Sequence, residues 1–290
     1  FYWDYVFGIV LCALFFAFTL GSHGENGRSF LTDLRQADFS SIGSALLGGI
    51  IFNASNILLS AAIAVCGMSV AFPVGVGLAL VLGVIINYIG EAKGNPIFIF
   101  IGVFLITIAI ILNGIAYKKA SVDNKKVSVK GLTLAISAGF IMAFFYRFVA
   151  ASIDLTSFEH PAAGKMTPYT AVFIFSLGIL TSNFLFNTIA MKHPVEGKAI
   201  PISGYFKGRA ITHLVGLLGG IIWCVGQSFS MIASEKAGAA ISYGLGQGAT
   251  LVSALWGILI WKEFKGATPI CRILNMCMFI LFLIGLYCLI

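Results

Sequence analysis

The sequence predicts an all-α membrane protein, an inverted five-plus-five helix repeat with nine spans present and the first helix missing. Three observations lead there. The 290 residues are 59% hydrophobic and 10% charged, with a mean hydropathy of +0.99, against about 45–50% apolar and 25% charged in soluble domains. Nine apolar runs reach the ~20 residues needed to cross a bilayer core. Sliding the sequence by 171 residues aligns 46–82 with 217–253 without a gap, with twelve of 37 pairs identical. The runs are continuous rather than alternating, which excludes a membrane β-barrel.

The runs fall at roughly 3–21, 41–65, 68–89, 97–117, 131–153, 168–191, 211–233, 238–261 and 269–290. Polar punctuation separates them: Ser22, His23, Gly24 and Glu25, then Glu91 to Pro96, then Lys118 to Lys130. The two longest polar connections, 22–40 and 192–210, leave no room for an inserted soluble domain. Lys/Arg counts in alternate connections set the orientation. One set holds Arg28, Arg35, Lys93, Lys165 and Lys236; the other holds twelve, from Lys118 to Arg272, and is assigned to the cytoplasm. That places the carboxy terminus outside, in a multi-pass protein of the cell (inner) membrane. The net charge of +7 is spread between spans rather than drawn into a stripe, so no nucleic-acid partner is implied. Six cysteines stand singly with no CxxC pair, as small apolar side chains of membrane helices do.

The repeat fixes the architecture. Leu46–Leu47–Gly48–Gly49–Ile50–Ile51 matches Leu217–Leu218–Gly219–Gly220–Ile221–Ile222, and Gly67, Gly75 and Gly77 match Gly238, Gly246 and Gly248. The same shift lays spans 1 to 4 on spans 6 to 9 and leaves span 5 unpartnered. The intact protein is therefore expected to have ten helices. Residues 1–117 form the first repeat (spans 2–5 of ten), 118–130 a basic cytoplasmic linker, and 131–290 the second repeat (spans 6–10). An odd number of helices per copy inverts one copy relative to the other, the pattern of alternating-access transporters.

Polar groups inside apolar helices gather at packing seams or at solute pathways. Asn53 and Asn56 lie three apart on one helical face, and their repeat equivalents are Cys224 and Gln227, next to Trp223. Interhelical glue and solute lining both fit them. Asn183 lies deep in span 6. Tyr243 and Gln247, four apart, share a face in span 8. Pro73, Gly75 and Gly77 in span 3 match a second interrupted stretch at Gly244, Gly246 and Gly248, and paired Gly/Pro breaks mark the site region of transporters; close helix packing is the alternative. Asp4, Arg147 and Asp154 are the candidates for ion coupling or a gate, with an end-capping role open for Asp4 and a snorkelling role for Arg147. Asp154 follows Arg147 by seven residues, which puts both on one face.

No span has a carboxylate near its centre to balance a cationic solute. Amides, hydroxyls and the rings of Trp223, Trp256, Tyr243 and Phe72 suit a neutral, hydrogen-bonding solute. Motifs of hydrolases, zinc enzymes and nucleotide-driven pumps are absent, so no catalytic residue, metal or cofactor is expected and energy comes from a gradient. The partners expected are a small neutral solute, a proton as coupling ion and the lipid bilayer, with the protein a monomer or a homodimer. An exporter of amphipathic compounds and a non-transporting sensor or scaffold are the alternatives.

Tyr2–Trp3–Asp4–Tyr5 running into Phe15–Phe16–Ala17–Phe18–Thr19–Leu20–Gly21, then Gly27–Arg28–Ser29–Phe30, carries a resemblance. So do Glu235–Lys236–Ala237–Gly238, Ile241–Ser242–Tyr243–Gly244–Leu245–Gly246–Gln247–Gly248 and Trp261–Lys262–Glu263–Phe264. Together they resemble the ureide permease family, which is similar to the bacterial glucose/ribose and rhamnose uptake transporters of the drug/metabolite transporter superfamily. The resemblance implies ten helices in two inverted halves around a central site, and uptake of a sugar or ureide by proton symport. Plant members carry a long central loop where this chain has only 118–130.

Overall fold

A computed structural model describes residues 1–22, 28–120, 128–158 and 160–290. His23, Gly24, Glu25 and Gly27 of the first polar connection, and Lys125 and Lys126 of the linker, lie outside the described residues. The apolar runs become helices because only a helix satisfies every backbone N–H and C=O within its own segment in hydrocarbon. In chain order these are α1 (Tyr2–Phe18), α2 (Phe30–Gln36), α3 (Phe39–Cys66), α4 (Met68–Ala71), a π turn (Phe72–Val76) and α5 (Gly77–Gly90). Then come α6 (Pro96–Ala120), α7 (Val129–Ser152), α8 (Pro168–Lys192), α9 (Ile202–Tyr205) and α10 (Ala210–Ala237). The chain closes with α11 (Ala239–Gly246), α12 (Ala249–Leu255), a second π turn (Trp256–Ile260) and α13 (Pro269–Cys288).

Eight helices are long and apolar enough to cross a membrane, counting Met68–Gly90 and Ala239–Ile260 as one each. The ninth run, α1, is apolar but only 17 residues long, at the lower end of the spanning range. Among the described residues the one β feature is an isolated bridge between Ile153 and Met166. The protein is an all-α, multi-pass membrane protein.

Helix ends follow local chemistry. Thr167 and Thr268 stand in extended conformation before Pro168 and Pro269, where proline's missing N–H costs nothing and its fixed φ suits the first turn. Helices α3 and α10 are both 28 residues long and are related by the 171-residue shift. Each runs into a glycine with positive φ, Gly67 at +83° and Gly238 at +82°, and the next helix begins one residue later. Only glycine enters that region without penalty.

The chain forms two compact units, residues 1–54 with 144–242 and residues 55–143 with 243–290. Each draws on both halves of the sequence. In the first, α1, α8 and α10 pack on one another, and glycines let the backbones touch. A Cβ at Gly49 of α3 would lie 2.1 Å from Phe175 O of α8, and one at Gly178 of α8 would lie 2.2 Å from Leu46 O. The same kind of contact recurs between α10 and α1: a Cβ at Gly220 would lie 1.9 Å from Tyr5 O, and one at Gly8 would lie 2.1 Å from Leu217 O. Leu46 and Leu217, like Gly49 and Gly220, are repeat equivalents, so the LLGGII runs make two matching seams. Asp33 of α2, fully buried and ion-paired with Arg28 at 3.1 Å, accepts Thr167 N at 2.8 Å and thereby caps α8 from another element.

In the second unit, α6 and α13 pack along their lengths, with Gly102 and Gly285 facing each other's carbonyls. Pro73 has no N–H to give to Ser69 O four residues back. Asn113 of α6 donates its Nδ2 to that carbonyl at 3.1 Å, which repairs the ladder inside the hydrocarbon. The first turn of α4 receives a carboxylate from far along the chain: Glu263 accepts Met68 N at 2.9 Å and Ser69 N at 2.8 Å, and also takes the Ser69 hydroxyl. An anion at a helix amino end satisfies otherwise orphaned N–H groups and complements the helix dipole. Glu263→Ala is therefore expected to lower stability by about 1–3 kcal/mol. Glu263→Gln, which keeps one acceptor, is expected to cost less than half as much. Thermal unfolding of the purified protein in detergent measures both, and equal melting temperatures for the two variants would contradict the capping role.

Candidate functional site

The first compact unit holds an aromatic cluster between α3, α7, α8 and α10. Phe52 lies 4.4 Å from Trp223, ring centroid to centroid, 5.2 Å from Phe145 and 5.7 Å from Phe175. Phe175 stacks on Trp223 at 6.1 Å with 20° between planes, and Tyr5 approaches Trp223 at 6.5 Å. Phe52, Phe145 and Phe175 are buried, whereas Trp223 is half-buried. The indole is thus backed by packed rings and keeps part of its surface accessible, which is the arrangement a stacking platform needs.

Two asparagines of this unit differ sharply. Asn53 of α3 is fully buried and fully engaged: Tyr2 Oη donates to its Oδ1 at 2.9 Å, and its Nδ2 donates to Ser182 Oγ at 3.0 Å and Ile179 O at 3.3 Å. It ties α1, α3 and α8 together. Asn183 of α8 is also 0% exposed, yet neither its Nδ2 nor its Oδ1 has a hydrogen-bond partner among the described residues. Gln227 Nε2 of α10, one helical turn after Trp223, and Trp3 Nε1 of α1 are unpaired and buried as well. Three mutually packed helices therefore each present a polar atom that nothing in the described chain meets. An unmet amide in an apolar interior costs several kcal/mol, which makes Asn183 the candidate for contact with a solute.

At the start of α1, Asp4 is buried and sits in a polar cluster. His213 Nδ1 of α10 lies 2.9 Å from Asp4 Oδ1 and 3.0 Å from Oδ2, Tyr205 Oη of α9 donates to Oδ1 at 2.5 Å, and the Phe1 main-chain nitrogen lies 3.3 Å from Oδ2. Gly216 admits the pair, since a Cβ there would lie 2.8 Å from Asp4 Cβ. Burial, with the hydrogen bond to Asp4 and its charge, pushes the Tyr205 phenol up to about 12. Tyr205 stays a donor at any physiological pH.

The remaining sequence candidates are placed as follows. Arg147 is half-buried in α7 and makes no ion pair or hydrogen bond among the described residues. The seven-residue step does not pair it with Asp154. That carboxylate instead organises the loop after α7, accepting Thr156 N at 2.9 Å, Thr156 Oγ1 at 2.6 Å and Ala162 N at 2.9 Å. Partial burial pushes its pKa up, but these hydrogen bonds outweigh it and hold the group below the usual carboxylate value.

Asn56, Tyr243 and Gln247 belong to the second unit. Tyr243 is buried against Gly83, and its hydroxyl donates to Ala79 O at 3.1 Å. Asn56 is half-buried; Gln247 is half-buried too, at a two-residue turn with Gly248 between α11 and α12. Of the break residues, Pro73 and Gly75 lie in the first π turn and Gly77 opens α5 against Ile110. Gly244 and Gly246 lie in α11, and Gly248 N donates to Leu245 O at 2.9 Å. Sequence reasoning missed Tyr205 and His213 as partners of Asp4, Tyr2 and Ser182 as partners of Asn53, and the capping role of Glu263. Only the long-range packing reveals them.

A family model described as ureide permease matches residues 1–130 and 125–290. The chain belongs to the ureide permease family. It is similar to ureide permease 1 of Arabidopsis thaliana, 24% identical over 344 aligned positions that cover 98% of this chain and 86% of the relative. Ureide permease 2 of the same plant is 24% identical over 350 positions, covering 97% and 86%. Probable ureide permease A3 of Vigna unguiculata is 23% identical over 329 positions, covering 91% and 87%. These alignments are longer than this permease itself, so the relatives carry segments it lacks. The family match divides at residues 125–130, within the linker. A permease is a transporter rather than an enzyme, and the polar groups above belong to a transport protein.

Proposed function

We propose that this permease moves a small, neutral, planar solute of the ureide type by proton-coupled alternating access. The observation that carries the proposal is the buried, unpartnered amide of Asn183. A ureide alternates N–H donors and C=O acceptors around a flat skeleton. The Asn183 amide offers one of each, and the half-buried Trp223 supplies an aromatic ring beside the cluster of Phe52, Phe145 and Phe175. The relatives' names favour a ureide over a sugar, the other neutral solute these groups suit.

Alternating access rests on the inverted-repeat interpretation and on the drug/metabolite transporter resemblance. The glycine seams support it: α3 packs on α8 and α10 on α1 through repeat-equivalent residues of the LLGGII runs, Leu46 with Leu217 and Gly49 with Gly220, as two copies related by a pseudo-two-fold axis do. Proton coupling is assigned to Asp4 with His213. Asp4 and Asp33 are the two buried carboxylates among the described residues. Arg28 neutralises Asp33, whereas Asp4 lies against the His213 imidazole and the Tyr205 hydroxyl. The membrane expected is the cell (inner) membrane.

Uptake of a panel of labelled ureides and sugars into proteoliposomes, with and without an inward proton gradient, tests this. At least one ureide is expected to accumulate with gradient stimulation. Asp4→Asn and His213→Ala are expected to abolish the stimulation while exchange of solute across the membrane at equal pH continues. Uptake of no panel member would overturn the transport proposal; undiminished stimulation in Asp4→Asn would overturn the coupling site alone.

A further inference from the structure

The second compact unit carries a groove of about 570 Å³ between the segment 255–265 and α13. Its walls follow helical periodicity. On α13, Arg272, Asn275, Phe279 and Leu283 recur at steps of three and four and form one stripe. Across from them, Leu259 leads to Lys262 and Lys265, beyond the π turn of Trp256–Ile260. A π turn adds a residue to one turn and re-aims the chain beyond it. Lys262, at φ +56°, is the one non-glycine residue with positive φ among those described.

The groove is chemically polarised. Arg272 lies in the first turn of α13, so all three cations sit at the end that the Lys/Arg count assigns to the cytoplasm. Among the described residues none of the three makes an ion pair, and Glu263, the nearest acid in sequence, is taken up by the amino end of α4. From Arg272 to Leu283 the stripe runs about 16 Å along the helix, apolar from Phe279 onward. Leu259 and Leu283 are 62% and 58% exposed. Asn275 also lines the groove, 5% exposed, and its buried Oδ1 accepts no hydrogen bond.

We propose that this groove binds one anionic phospholipid. The headgroup phosphate is held by Lys262, Lys265 and Arg272, and an acyl chain lies along Phe279 and Leu283. Basic pockets between spanning helices on the cytoplasmic side suit anionic headgroups, and an apolar floor of this length excludes a free anion as the natural occupant. The site is separate from the solute-binding residues of the first unit and does not depend on the solute's identity.

Native mass spectrometry of the purified full chain, with added phosphatidylglycerol or phosphatidylcholine of identical acyl chains, reads the binding. Wild type is expected to retain phosphatidylglycerol at least about fivefold better. Each of Lys262→Ala, Lys265→Ala and Arg272→Ala is expected to cut the preference by up to about fivefold, and the triple variant to bring the two lipids to parity. Leu283→Trp, which fills the apolar floor, is expected to release phosphatidylglycerol with the cations intact. Equal retention of both lipids by wild type, or an undiminished preference in the triple variant, would overturn the proposal. So would full displacement of phosphatidylglycerol by millimolar inorganic phosphate, which would reveal a plain anion site. The wild-type comparison holds even if a variant fails to fold.

Discussion

Replacing Asn183 by leucine is expected to reduce uptake at least about tenfold while the protein melts at the same or a higher temperature. Leucine has nearly the shape of asparagine, and the buried Asn183 amide has no partner to strand. Removing an unsatisfied buried group relieves a penalty of about 1–3 kcal/mol. If the amide meets the solute, losing even one hydrogen bond worth about 1.4 kcal/mol is a tenfold loss. Asn53→Leu is expected to do the reverse to stability. That change removes the three hydrogen bonds that Asn53 makes with Tyr2 Oη, Ser182 Oγ and Ile179 O. With interhelical hydrogen bonds in membranes averaging about 0.6 kcal/mol each, the expected cost is about 2 kcal/mol. Thermal melting and initial uptake rates of the two variants, measured side by side, separate a binding amide from a structural one. Unchanged uptake in Asn183→Leu would remove the observation on which the proposed function rests.

The same pair shows what sequence reveals. Both asparagines are legible as polar residues deep in apolar runs, because the bilayer makes such residues rare and expensive. Whether the amide is met depends on Tyr2 and Ser182, which lie 51 and 129 residues from Asn53. No periodicity encodes that. The spans are legible because hydrocarbon thickness dictates helix length, and the common length of α3 and α10 comes from the repeat. The shortness of α1 and the small helices α2 and α9, set in polar connections without a periodic signal, are not. Arg147 and Asp154 illustrate a different loss. A step of seven does place two residues on one face, but the loop that follows the helix folds back on Asp154, and Thr156 and Ala162 take the carboxylate. Pro73 is intermediate: the orphaned carbonyl four residues back is predictable from proline chemistry, whereas its rescue by Asn113 is a matter of packing.

Gly49→Ala and Gly220→Ala are expected to be strongly destabilising, by about 1–3 kcal/mol or more each, and to impair uptake with it. The added Cβ would meet a backbone carbonyl at 2.1 Å and 1.9 Å, and a carbonyl inside a packed helix has no rotamer by which to yield. The helices themselves must move apart, which loosens contacts all along the seam. Because the seams use repeat-equivalent residues, the two single variants are expected to agree within about 0.5 kcal/mol. Their double variant adds the two costs if the seams yield independently, and departs from the sum if they yield as one unit. Gly226, on the same helix as Gly220, has nothing within 4 Å of its missing Cβ. There alanine restores helix propensity without a clash, and Gly226→Ala is expected to raise stability by about 0.5–1 kcal/mol. Opposite signs at two glycines six residues apart would show that the LLGGII glycines are kept for closeness, not for flexibility. Equal destabilisation at Gly226 would instead mean that the helix needs its glycines to bend, and the two matching seams would lose their meaning.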